Sequence, residues 1–258
     1  MRSSLRPSRA FTLIELAVVI LILTVLASGL AMPVAAQLEM RRAGETRRLL
    51  DEARESLLAF AAANGRLPCP ATASSRGEED FAPGGDSGNG NCARFYDGYL
   101  PGAALGLSPL DGEGFVRDAW NTERSRIRYA VFGAGSSVNG IANPFTRVNG
   151  MQAATLAALG DAPHFLFICA GNAGASGSGC GPAANQLTRR AAFVLISLGP
   201  NAGSAPLAGS DEARNQSGDP VFVYHEATGT GNGAFDDVVQ WVPMHLVASR
   251  MLAAGRLP

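Results

Sequence analysis

The sequence predicts an α+β chain: a long N-terminal helix, membrane-spanning in its first half, whose C-terminal half packs on an antiparallel β-sheet head. Three observations carry this expectation. An apolar run follows a short arginine-bearing start, helix-forming residues continue well past that run, and the rest of the chain alternates short β-type runs with glycine-rich turns. With 258 residues there is room for one or two domains and a sizeable core. Apolar residues make up 47% and charged residues 17%, which excludes disorder throughout. The net charge of −1 gives no broad attraction to polyanions, so no nucleic-acid partner is inferred.

The first ten residues, MRSSLRPSRA, hold Arg2, Arg6 and Arg9 and no acid. From 11 to 36 the chain reads FTLIELAVVILILTVLASGLAMPVAA, with Glu15 as its only charge. The uncharged part, 16–36, makes a helix of about 31 Å at ~1.5 Å per residue. That matches a hydrocarbon core of roughly 30 Å. The preceding arginines place the N-terminus in the cytoplasm and the rest of the chain outside. Glu15 does not suit a plain anchor, because an ionised carboxylate at the membrane centre costs on the order of 2–3 kcal/mol. Placement near the interface, protonation or an amine partner would relieve it.

The helix pattern then continues through 37–64, QLEMRRAGETRRLLDEARESLLAFAAAN. Ala43, Leu49, Leu50, Ala53, Leu57, Phe60 and Ala61 recur at helical spacing, with arginines and acids on the other face. Asn64-Gly65 supplies a C-terminal stop. The expectation is one long helix, bent at Gly29 and Pro33.

The stretch Arg9-Ala10-Phe11-Thr12-Leu13-Ile14-Glu15-Leu16, followed by the Val/Ile/Leu run, resembles the processing site of type IV pilins and type II secretion pseudopilins. Ala10 stands where that family usually has Gly, and Pro33 lies one residue later than the usual kink proline. The resemblance implies that a prepilin peptidase cuts between Ala10 and Phe11 on the cytoplasmic side and that Phe11 is then N-methylated. It implies assembly through the helix, with Thr12 and Glu15 at its start. The organisation would be a leader at 1–10, a transmembrane assembly helix at 11–36, its amphipathic continuation at 37–64 and an extracytoplasmic head at 65–258. The implied partners are the peptidase, other pilin or pseudopilin subunits, an inner-membrane assembly platform and membrane lipid. The implied place is the inner membrane, single-pass with a periplasmic head, and later a pilus or pseudopilus. The implied role is structural, as a minor subunit, and not enzymatic. The competing reading is a secretory signal peptide cut after Val34-Ala35-Ala36, on a periplasmic hydrolase or binding protein. Glu15 and the length of the apolar run, beyond the usual 7–15 residues or so, count against it.

In the head, 65–125 is rich in loop residues. Strand-length runs follow at 127–132, 165–169, 192–198, 221–225 and 238–242, with a short helix at 244–254. Their succession predicts an antiparallel sheet with its apolar face on the 38–64 helix. Cys69, Cys92, Cys169 and Cys180 show no CxxC spacing, and with only three His a zinc site is excluded as the simple reading. Outside the cytoplasm they are disulfide candidates. Three connectivities are open, and loop-closure entropy favours the two local pairs.

No catalytic constellation stands out. The tract 174–179, GASGSG, fails the GxSxG pattern, and Gly229-Thr230-Gly231-Asn232-Gly233 lacks the strand and spacing of a nucleotide loop. His164, His225 and His245 have no mutual spacing. Asp236 and Asp237, as neighbours in a strand, would face opposite sides. The run Asp86-Ser87-Gly88-Asn89-Gly90-Asn91 has the oxygen ligands and glycines of a calcium loop, and some pseudopilin heads bind calcium. A plain turn is the simpler reading. No other cofactor is expected.

Overall fold

The computed structural model describes residues 12–122, 124–228 and 234–257, and at 26–36 the backbone without side chains. The expected leader and Phe11 lie outside the described residues, as does the tract 229–233. The chain divides into two compact units, Met1–Arg42 and Ala43–Pro258. Helix α1 (Leu13–Asn64) runs 52 residues without interruption through Gly29 and Pro33. It ends where Asn64-Gly65 predicts. Gly65 takes φ 69° and donates its N–H to the Ala61 carbonyl at 2.9 Å, and Asn64 Nδ2 donates to the Phe60 carbonyl.

In the first unit, every described side chain from 12 to 25 is exposed. Among the described residues, no helix is long and apolar enough to cross a membrane. The expected span of 11–36 includes Phe11 and the side chains of 26–36, which lie outside that description.

In the second unit, the end of α1 is followed by strands β1 (Gly98–Tyr99), β2 (Arg128–Val131), β3 (Ser137–Val138) and β4 (Ile141–Ala142), then helices α2 (Gly150–Ala154) and α3 (Leu156–Asp161). Next come β5 (Leu166–Cys169), β6 (Gln186–Ser197), α4 (Asp211–Asn215), β7 (Val221–Val223), β8 (Val238–Pro243) and α5 (Met244–Ala253). β6 organises the six-stranded sheet, pairing antiparallel with β2, β5 and β8, while β1 pairs with β2 and β7 with β5. Its second half, Ala-Ala-Phe-Val-Leu-Ile-Ser, is buried at every position, so a continuous apolar run replaces alternation.

Leu50, Ala53, Leu57, Leu58 and Ala61 of α1 are buried in the same core as Val194, Ile196 and Val242. Each fully buried leucine contributes about 1.5–3 kcal/mol. Polar ties fix the helix in place. Ala119 N–H donates to Thr46 Oγ1 at 3.2 Å, Gln240 donates to Asp51 at 2.7 Å, and Arg250 pairs with Glu55 at 2.8 Å. From the C-terminal tail, Arg256 donates to the carbonyls of Ala62 and Ala63, which have no partner within the helix. Phe132, Phe145 and Phe165 meet edge to face, with centroids 5.0 to 5.8 Å apart.

Three features depart from the sequence expectation. The sheet is antiparallel-rich but not purely antiparallel, since β5 and β7 run parallel with Phe167 opposite Val221. Residues 170–220 carry the chain away through β6 and α4 and return it in the same direction, and only such a long connection permits a parallel pair. β6 begins at Gln186, six residues before the apolar run, because Thr188 and Gln186 find ladder partners in Ile168 and Cys169. The β3–β4 hairpin and helices α2, α3 and α4 are too short to leave a periodic signal.

Cys69 is bonded to Cys92 and Cys169 to Cys180, with Cα separations of 5.3 and 5.4 Å. Beside the first bridge, Arg66 and Glu79 form a buried two-bond pair at 2.6 and 2.8 Å. The Arg66 guanidinium also lies over the rings of Phe60 and Phe81, and Glu79 accepts from Cys69 N–H at 2.8 Å.

Candidate functional site

The start of α1 is built by Thr12 and Glu15. Thr12 precedes the helix, and its carbonyl accepts from Leu16 N–H at 3.2 Å. Its Oγ1 accepts from Glu15 N–H at 3.3 Å. Thr12 is therefore the N-cap and Glu15 the third helical residue, in the order of a capping box. An acid in the first turn also complements the positive end of the helix dipole. The exposed surface that follows is apolar, with Leu13 88% and Ile14 73% exposed and Leu16, Val18 to Leu23 and Val25 all about half exposed or more. A helix apolar on all sides requires lipid or other helices around it. Ala10 and Phe11, the expected processing pair, lie outside the described residues.

A groove of about 550 Å³ runs between residues 45–52 of α1 and the 107–121 loop, lined by Leu49, Leu107, Leu110 and Val116, with Glu45, Glu52 and Asp111 among its acids. Its lining contains no His or Cys, and its best-placed carboxylates already serve the loop. Asp118 is buried, which pushes its pKa up against hydrogen bonds from Ser197, Trp120 N–H and Asn121 N–H. Burial also works to raise Asp111, but Phe115 N–H, Arg117, Glu113 N–H and Arg126 outweigh it, and the carboxyl is held at about 2. A folded pKa below the unfolded value means stability present above about pH 4 and lost as pH falls through about 2. Asp111→Asn is expected to remove about 2 kcal/mol at neutral pH and to flatten the acid limb between about pH 4 and 2. Chemical denaturation across that range measures it, and an unchanged acid limb would contradict the assignment.

The 86–91 loop turns its oxygens onto its own backbone. Asp86 Oδ1 accepts from Gly88 and Asn89 N–H at 2.8 and 2.9 Å, and Asn89 Oδ1 accepts from Asp86 and Asn91 N–H at 3.1 and 2.9 Å. These are Asx turns, in which Asp86 Oδ1 and Asn89 Oδ1 serve the loop's own backbone. Among the described residues, the group able to hold a metal ion is instead Glu212, Asp236 and Asp237, with one oxygen of each within 4.8 Å of the others. The alternation argument does not apply to the two aspartates, because β8 begins only at Val238. Glu212, on α4, accepts from Asn201 Nδ2 on both oxygens and from Asp236 N–H. Asp237 is pushed up to about 8, chiefly by burial, with the Glu212 and Asp236 charges adding and the Asn215 hydrogen bond opposing. Sequence reasoning missed this cluster, because Glu212 lies 24 residues from Asp236 with no pattern to join them.

Two of the three histidines, His164 and His225, serve the head's own packing. His225 Nε2 lies 2.9 Å from Asp211 Oδ2 with its ring on Phe235, and His164 stacks on Phe167. Ser176 and Ser178 hydrogen-bond to one another at 3.1 Å.

The family model described as the prokaryotic N-terminal methylation motif matches residues 5–31. This is the signal motif of type IV pilins and pseudopilins, and the matched span contains Ala10, Phe11, Thr12 and Glu15. It covers the start of α1 and none of the head. No curated protein and no solved structure matches the chain.

Proposed function

We propose that the chain is the precursor of a structural subunit, a minor one, of a type IV pilus or type II secretion pseudopilus. The methylation motif at 5–31, leading directly into an exposed apolar helix, is the observation that carries this reading. The 16–36 run holds the precursor across the inner membrane, with the leader cytoplasmic and the head at 65–258 periplasmic. Two disulfides suit that oxidising compartment. A prepilin peptidase cuts between Ala10 and Phe11 and methylates Phe11. The cut creates an α-amine one helical turn from Glu15. On the assembly platform, the Glu15 carboxylate of one subunit pairs with the amine of a neighbour, so that a charge costly in an apolar setting sets the register of stacking. The apolar sides of successive helices replace lipid contacts, and the 37–64 continuation carries the head. The subunit performs no turnover.

The mature protein recovered from membranes or filaments is expected to begin with N-methylated Phe11. N-terminal sequencing and intact mass decide this. A mature chain beginning at Gln37 would show a cleaved signal peptide and end the filament reading.

A further inference from the structure

We propose that Glu212, Asp236 and Asp237 bind a hard divalent cation, which ties the first turn of α4 to the turn leading into β8. One oxygen from each residue lies within 4.8 Å of the others. Two oxygens at about 2.4 Å from a shared ion are at most ~4.8 Å apart, so every pair of these oxygens is within the reach of one ion.

A cluster of acids is not in itself a site, and a second observation distinguishes this one. Asp237 is only 6% exposed, and while its Oδ2 accepts from Asn215 Nδ2 at 2.8 Å, its buried Oδ1 has no hydrogen-bond partner. A buried carboxylate oxygen without a donor is costly, and a cation supplies the missing contact. The surrounding groups hold the ligands in place. Asn201 orients Glu212 through both oxygens, and Asn215 orients Asp237 while its own Oδ1 accepts from Val223 N–H at 2.7 Å. Glu212 Oε1 already accepts twice, whereas Glu212 Oε2 and Asp237 Oδ2 each accept once and keep a further lone pair. Asp236 rests against Gly199, where a Cβ would come 2.4 Å from its Oδ1.

The donor set is all oxygen, with neither thiolate nor imidazole. It therefore selects calcium, magnesium or manganese over zinc or copper. Three converging carboxylates also repel one another, and a divalent cation relieves that repulsion. Bound there, it would join two elements that are otherwise linked by Asp236 N–H to Glu212 and by Asn215 to Asp237.

The test uses the full chain in detergent with both disulfides intact, stripped with a chelator. Calcium, magnesium and manganese chlorides are titrated separately by calorimetry, and the thermal midpoint is followed. One site per chain is expected for at least one of these ions, with a rise of about 5–10 °C at a hundred-fold excess over its Kd. Glu212→Gln and Asp237→Asn should each weaken binding by more than about ten-fold, as the loss of a ligand should exceed the effect of losing an outer-shell partner. Asp86→Asn should leave binding unchanged. Glu212 also holds Asn201, so if its variant misfolds, Asp237→Asn, which keeps the shape of the side chain, decides alone. No heat and no thermal shift at millimolar concentrations of any of the three ions overturns the proposal. So does binding that survives Asp237→Asn, or that is lost in Asp86→Asn instead.

Discussion

Glu79→Ala is expected to cost the head about 3–5 kcal/mol, the effect of breaking a buried ion pair by removing one partner. The Arg66 and Glu79 side chains are only 9% and 14% exposed. Both guanidinium–carboxylate bonds would go, together with the acceptor for Cys69 N–H, and the Arg66 charge would remain buried between Phe60 and Phe81 without a counter-ion. Urea denaturation of the full chain in detergent, under oxidising conditions, measures the loss as a lower midpoint at constant slope. Arg54→Ala provides the contrast. Its pairs with Asp51 and Glu55 are solvent-exposed, and their loss should cost no more than about 1 kcal/mol. If Glu79→Ala cost no more than Arg54→Ala, the buried pair would not be what holds the 66–79 loop.

Glu15→Ala is expected to leave the chain inserted in the membrane and cut before Phe11, while its incorporation into filaments falls by at least about ten-fold. A loss of only about 1.4 kcal/mol of subunit contact is enough for that factor. The start of the helix should survive the change, because Thr12 Oγ1 caps the backbone N–H of residue 15 and alanine keeps that group. Loss of assembly therefore reports on the carboxylate and not on a frayed helix. Comparing the sheared filament fraction with the membrane fraction measures the effect, and equal incorporation of variant and wild type would remove the amine-pairing role from the proposed mechanism.

Much of the fold was legible because periodicity and turn chemistry are local. The end of α1 at Asn64, the strands near 127–132, 165–169, 221–225 and 238–242, and the terminal helix near 244 all appear close to where the residue pattern places them. The miss at Gln186 has a different origin. Residues 186–190 of β6 are mostly polar and exposed, and they form a strand only because β5 offers them partners. The pairing of β7 with β5 depends likewise on the route of the intervening chain, which no window of sequence records.

The candidate sites divide along the same line. Thr12 and Glu15 lie three residues apart on one helical turn, so the motif could be read from the chain and the helix start only gives it geometry. The acidic cluster could not be read, because Glu212 and Asp236 meet across 24 residues of chain with no pattern to join them. Asp86 and Asn89 show the converse, for in a loop that spells out ligand chemistry one oxygen of each accepts from the loop's own N–H groups.

What the sequence determined by itself is the α+β layout, the N-terminal methylation motif and the amphipathic end of the first helix. Each depends on side chains within a turn or two of one another, where spacing and chemistry are the same information. Only the tertiary structure decided the strand directions, the Arg66–Glu79 pair and the meeting of Glu212 with Asp236 and Asp237. Those depend on where distant segments close in space, which is settled by burial of the shared core around β6 and not by any local preference of the residues that meet there.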